Sequence, residues 1–125
     1  MGNTIYAHIT HRDTAPNNFE PPTFDPLYGF PNGRKERVMV ATQEELEAAS
    51  VPLERRDYCA HHYLEFMRCR QKKFPWIAGC KHEQHDYDNC QYNDYILRMK
   101  EYEREKRLKE RAKRLKHRNQ ELLVE

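Results

Sequence analysis

Four cysteines, Cys59, Cys69, Cys80 and Cys90, carry most of the chemistry open to this chain of 125 residues. They form two C-x9-C pairs joined by a ten-residue connector. Thiols can ligate metals, exchange with other disulfides, or be locked into structural crosslinks. The nine-residue spacing is too wide for the C-x(2–4)-C knuckle of a tetrahedral zinc site. No C-x-x-C or C-P-C is present to act as a redox exchanger. His61, His62, His82 and His85 lie near the cysteines, and His82 and His85 stand i, i+3, which can place two imidazoles on one helix face. Because the cysteines follow a helix-pair spacing, these histidines read as solvated or partner-bonded, not as ligands. Asp86 and Asp88, beside His85, read as helix-surface charge. No Gly-rich phosphate loop and no G-x-S-x-G elbow occurs. The sequence therefore assigns no catalytic, cofactor-binding or metal-binding residue.

The cysteine spacing dictates the elements that must hold it. Ten helical residues rise about 15 Å, so each helix presents two thiols on nearby faces. Folding back at the connector brings Cys69 to Cys80 and Cys59 to Cys90. A parallel arrangement would force the connector to retrace the helix. Four cysteines allow three connectivities, and the nested, antiparallel one is the expectation. Its loop-entropy contribution is about 4 kcal/mol for the outer crosslink and about 3 for the inner, less than their sum when nested. A small expected core of Tyr63, Phe66, Met67, Trp76, Ile77 and Tyr87 makes those crosslinks decisive.

Along the chain, residues 1–14 show no period and read as a tail. Residues 15–33 hold five of seven prolines and two of four glycines, which excludes helix and central strand. Phe19, Phe24, Leu27, Tyr28 and Phe30 interleave with them. That pattern suits an extended arm laying aromatics into a partner's grooves. Thr42 followed by Glu45 matches a capping box, so Gln43–Ala49 is an expected short helix. A helix is expected from Leu53 to about Lys73, with Cys59, Tyr63, Phe66 and Met67 on one face, ended by Phe74-Pro75. A second is expected from about Ile77 into the 110s, dense in charge and helix formers. The resulting plan is all-α: an extended arm (1–41), a short helix plus helical hairpin (42–94) and a basic helical extension (95–125).

Charged residues are 34%, hydrophobic ones 38%, and the formal net charge is +2. That supply of core is thin for the length, which points to staples or a partner. The C-terminal third is basic. Interspersed Glu101, Glu103, Glu105 and Glu110, and the lack of aromatics past Tyr102, argue against nucleic acid. A helix laid on a protein or on an anionic membrane surface fits better. No run reaches the roughly 20 apolar residues of a membrane span. The N-terminus has neither an apolar signal core nor an Arg-rich amphipathic presequence. Disulfides without a secretory signal suit the mitochondrial intermembrane space, where oxidative folding can trap proteins. Gly2 follows Met1, but Tyr6 stands where an N-myristoylation pattern has Ser or Thr.

The stretch RDYCAHHYLEFMRCRQKKFPWIAGCKHEQHDYDNC resembles the coiled-coil–helix–coiled-coil–helix (CHCH) domain. DPLYGFPNGRKERVMVATQEE before it and YILRMKEYEREKRLKER after it narrow the likeness. Together they resemble the family of the seventh beta-subcomplex subunit of mitochondrial NADH:ubiquinone oxidoreductase (complex I), from about Phe24 to Arg118. The resemblance implies a non-catalytic accessory subunit of the respiratory chain, without cofactor. It implies a peripheral place on the intermembrane-space side of the inner membrane, and complex I membrane-arm subunits as partners. It implies nested disulfides and import by the intermembrane-space disulfide relay, with Tyr63, Phe66 and Met67 as docking residues. Because the family is associated with an N-terminal myristate, Gly2 becomes a lipidation candidate. Phe24, Tyr28, Phe30, Tyr95, Leu97, Met99 and Tyr102 are the expected partner contacts. The rival reading is a CHCH-type assembly factor or metallochaperone. That class should carry a free thiol motif beyond the structural four, and this sequence has no fifth cysteine.

Overall fold

The computed structural model describes residues 2–17 and 19–125, with only the backbone of residues 2–4. It is all-helical, and no strand occurs among the described residues. Four α-helices run in order: α1 (Gly2–Thr10), α2 (Gln43–Ala48), α3 (Ala60–Lys73) and α4 (Lys81–Val124), with 3-10 turns at Leu53–Arg55 and Ile77–Cys80. The chain divides into two compact units, one of residues 35–97 and one of residues 1–34 with 98–125.

In the first unit, α2 starts where the sequence predicts. The Thr42 hydroxyl accepts from the Glu45 N–H at 3.2 Å, satisfying an otherwise orphaned donor. Its end is a Schellman motif: Val51 N–H reaches Leu46 O, and Ser50 N–H reaches Glu47 O, both at 3.0 Å. Ser50 takes the left-handed conformation (φ 53°) that this motif usually gives to glycine. The motif also apposes Leu46 and Val51, which join Ala41, Ala60 and Leu64 in the buried core, with Tyr63 packed against it.

α3 begins seven residues later than expected. Pro52 is extended (ψ 147°), and Arg56, at ψ 59°, breaks the 3-10 turn after it. The Asp57 carboxylate then accepts from Cys59 N–H at 2.9 Å, and Ala60 N–H bonds Asp57 O at 3.2 Å. This local side-chain turn outcompetes helix until Ala60.

The core also differs from the expected one. Trp76 is 78% exposed and Ile77 is exposed, while Phe66 and Met67 are only half-buried. α3 buries two faces. Ala60 and Leu64 join the segment 41–51, whereas Cys59 and Tyr63 meet Cys90 and Tyr87 of α4. The tight turns Trp76 N–H to Lys73 O and Gly79 N–H to Trp76 O leave the connector no interior to fill.

In the second unit, residues 2–10 form a helix, where the sequence reads as a tail. His11 N–H bonds Ala7 O at 2.8 Å and Ala15 N–H bonds His11 O at 2.9 Å. Ala7, Thr14 and Pro16 are buried in this unit. Two apolar isoleucines four apart, Ile5 and Ile9, were too short a pattern to register as a period.

Candidate functional site

The hairpin is closed by two disulfides, Cys59–Cys90 and Cys69–Cys80, with Cα–Cα distances of 5.8 and 5.9 Å. No free cysteine occurs among the described residues. Beside the outer disulfide a polar lattice joins the strand of chain before α3 to α4. Gln91 Nε2 donates to Asp57 Oδ2 at 2.9 Å and to Tyr87 Oη at 3.2 Å. Arg55 Nη1 donates to the same Tyr87 hydroxyl at 2.9 Å, and that bond holds the guanidinium pKa up. Arg37 pairs with Asp94 and stacks over Tyr58 at 3.8 Å. Arg37, Asp94 and Tyr58 border a surface groove of about 350 Å³ together with His62, Asp86 and Leu97. No local pattern marks Asp57, Gln91 or Arg37 for this role, because each bonds a residue more than 30 positions away.

The histidines form no shared ligand set. His61 and His62 stack with ring centroids 4.1 Å apart. Burial, and then the neighbouring His62, push the His61 pKa down. His82 Nε2 faces Asp86 Oδ2 at 3.3 Å, while His85 and Asp88 are exposed. Among the described residues, the one grouping with metal-ligand spacing is Cys69, Cys80 and Glu83. Its two sulfurs are bonded to each other, so neither is a thiolate.

In the other unit the Pro-rich arm lies on the chain's own helix. Thr23 N–H donates to Glu105 Oε1 at 3.1 Å. Arg104 donates to the carbonyls of Asp25 (2.9 Å) and Tyr28 (2.8 Å), and Arg111 to the Tyr28 hydroxyl at 3.0 Å. Arg34 pairs with Glu101, and Lys113 meets Asp13 at 2.6 Å, which lowers the Asp13 pKa. Arg34 and Arg104 also sit over the Phe30 ring, at 4.6 and 5.6 Å. Gly29 (φ 83°) and Gly33 (φ 80°) turn the arm at positions that L side chains resist. Two of the cations expected to face solvent or a partner, Arg111 and Lys113, thus hold the arm.

Of the expected partner-contact residues, Tyr28, Phe30, Tyr95, Leu97 and Met99 are exposed, and Phe24 and Tyr102 are half-buried. They fall in both units: Tyr95 and Leu97 in one, the other five in the second. Gly2 opens α1, but its surroundings lie outside the described residues. No described helix is long and apolar enough to cross a membrane.

Residues 40–102, from the end of the arm through both disulfides, match the family model of the NADH-ubiquinone oxidoreductase B18 subunit (NDUFB7). The chain is 50% identical over 107 residues to NADH dehydrogenase [ubiquinone] 1 beta subcomplex subunit 7 of Bos taurus, covering 82% of this chain and 77% of that protein. The Mus musculus protein of the same name matches equally, at 50% over 107 residues, with the same 82% and 77% coverage. The Caenorhabditis elegans one is 47% identical over 97 residues, covering 77% of this chain and 79% of its own length. With the twin C-x9-C hairpin in place, and with a family model and relatives matched over more than three quarters of their length in agreement, the chain belongs to the NADH-ubiquinone oxidoreductase B18 subunit (NDUFB7) family.

Proposed function

We propose that this chain is a non-catalytic accessory subunit of mitochondrial complex I, peripheral to the inner membrane on its intermembrane-space side, where it braces membrane-arm subunits. The observation that carries this reading is the 50% identity over 107 residues to a protein named as a beta subcomplex subunit of NADH dehydrogenase. The stapled hairpin supports the compartment, since a crosslinked fold of this size depends on oxidising surroundings. The exposed Tyr28, Phe30, Tyr95, Leu97 and Met99, with Phe24 and Tyr102, are the surfaces assigned to neighbouring subunits. Import runs through the intermembrane-space disulfide relay, with the half-buried Tyr63, Phe66 and Met67 offered beside Cys59 and Cys69. Gly2, at the start of α1, is the assigned acylation site.

The test is native electrophoresis of mitochondria solubilised in mild detergent. A subunit stays with the mature, NADH-oxidising complex; an assembly factor or metallochaperone of the same domain type is found only on partial assemblies. Finding the chain only on partial assemblies would replace this reading with that rival. Deleting residues 15–33 should weaken incorporation and leave the disulfide hairpin intact. Intact mass of the purified chain reports whether Gly2 carries an acyl group.

A further inference from the structure

We infer that the tip of the disulfide hairpin is a lipid-contact surface that seats Phe74, Trp76 and Ile77 in the interface of an anionic membrane. It rests on the peripheral placement proposed above, and names the surface that makes the contact.

Three observations converge on the tip. First, its apolar side chains are turned outward: Phe74 is 77% exposed, Trp76 78% and Ile77 46%. They cannot retreat inward. The Cys69–Cys80 crosslink closes the loop behind them, and Lys73 Nζ bonds Gly79 O at 2.7 Å across it. Second, the loop itself is basic, with Glu83 set behind it at the Cys69–Cys80 crosslink. From Phe66 to His82 the chain holds Arg68, Arg70, Lys72, Lys73 and Lys81, and no Asp or Glu. All five are exposed. Third, Met67, Phe74 and Ile77, with Arg70 and Gln71, line an open groove of about 450 Å³.

An exposed Trp and Phe ringed by Lys and Arg is the composition of an interfacial anchor. Aromatic rings settle at headgroup depth, and the long cationic stems keep apolar contact while their charges meet lipid phosphates. Charge complementarity selects the occupant. A neutral protein groove would take the aromatics but leave the cations without counter-charges, whereas an anionic bilayer satisfies both.

Trp76 is the only tryptophan in the chain, so its fluorescence reports this surface alone. The full-length oxidised chain is mixed with vesicles of equal phosphatidylcholine and phosphatidylglycerol, and with pure phosphatidylcholine as control. The expected result is a blue shift of Trp76 emission on the anionic vesicles only. Brominated acyl chains should quench it, and high salt should reverse it. Phe74→Ala with Ile77→Ala should lower partitioning about tenfold, and Lys72→Gln about fivefold, with far-ultraviolet helicity unchanged.

Absence of binding at low salt would overturn the proposal and leave the tip as a protein-docking surface. Vesicle binding with Trp76 unquenched would also overturn it, and would move lipid contact to the basic part of α4. Both results leave co-migration with complex I standing, so failure here is separable from failure of the subunit reading.

Discussion

The unit of residues 35–97 and the unit of residues 1–34 with 98–125 share a helical backbone but are held by different forces. The first has two crosslinks and a buried apolar cluster of Ala41, Leu46, Val51, Ala60 and Leu64. The second is fastened by guanidinium groups gripping backbone carbonyls, a carboxylate receiving one N–H, and a surface ion pair. A Pro-rich segment has few side chains to bury and many carbonyls unpaired by secondary structure. Arginines on a helix are the natural donors for it. The difference predicts a hierarchy: the hairpin should open only globally and only when its crosslinks or core fail, while the arm opens locally and at low cost.

The largest effect should come from reduction. Opening both disulfides removes about 4 kcal/mol for the outer loop and about 3 for the inner, counted separately, against a small core. Helical circular dichroism of the hairpin should collapse on full reduction at mild temperature. Survival of the helical signal would break the comparison, because apolar packing alone would then hold the first unit. Next is Leu46→Ala. Leu46 is 2% exposed at the centre of the cluster, so truncation should cost about 3 kcal/mol. A clear drop in the denaturation midpoint with both disulfides intact would separate the core's share from the staples'.

Arg104→Ala probes the second unit. Losing the two hydrogen bonds that Arg104 Nη2 donates to the Asp25 and Tyr28 carbonyls should release residues 23–34 by about 1–2 kcal/mol. Hydrogen exchange and proteolysis should quicken there, with the hairpin's melting unchanged; parallel destabilisation of the hairpin would erase the hierarchy. Ser50→Gly should raise hairpin stability by about 1 kcal/mol, since the left-handed Schellman position penalises a Cβ. A lower melting temperature would contradict the strain reading.

The smallest effect is pH. His61 titrates below its ordinary 6.5 because burial and His62 disfavour the imidazolium. The unfolded chain therefore takes up the proton first. Stability is complete above the ordinary value and declines as pH falls from there toward the lowered folded value. His61→Gln should flatten the fall in melting temperature between neutral pH and about pH 5.5. An unchanged slope would assign the dependence to other groups.

The hairpin was legible because its determinants are local and periodic. Two equal cysteine spacings, a Phe-Pro stop and a Thr-x-x-Glu start each act within a few residues, and the structure places helices accordingly at Gln43–Ala48, Ala60–Lys73 and Lys81–Val124. The start of α3 was misjudged because the Asp57 turn competes with helix through a single side-chain bond. The composition of the core was misjudged for a different reason. Whether Leu64 or Phe66 is buried depends on which face of α3 meets the segment 41–51, and helical periodicity cannot see that neighbour. The arm's destination was equally invisible. Its aromatics suggested a groove in another protein, while its partners within the chain, Glu105, Arg104 and Arg111, lie about 80 residues away and look like ordinary helix-surface charge. The sequence alone thus determined the presence of α2, α3 and α4, the crosslinking chemistry and the family likeness, all written in short-range spacing. Only the tertiary structure decided which apolar residues are buried, which cations hold the arm, and which aromatics are left at the hairpin tip. Those choices rest on long-range contacts, and such contacts leave no period in the sequence.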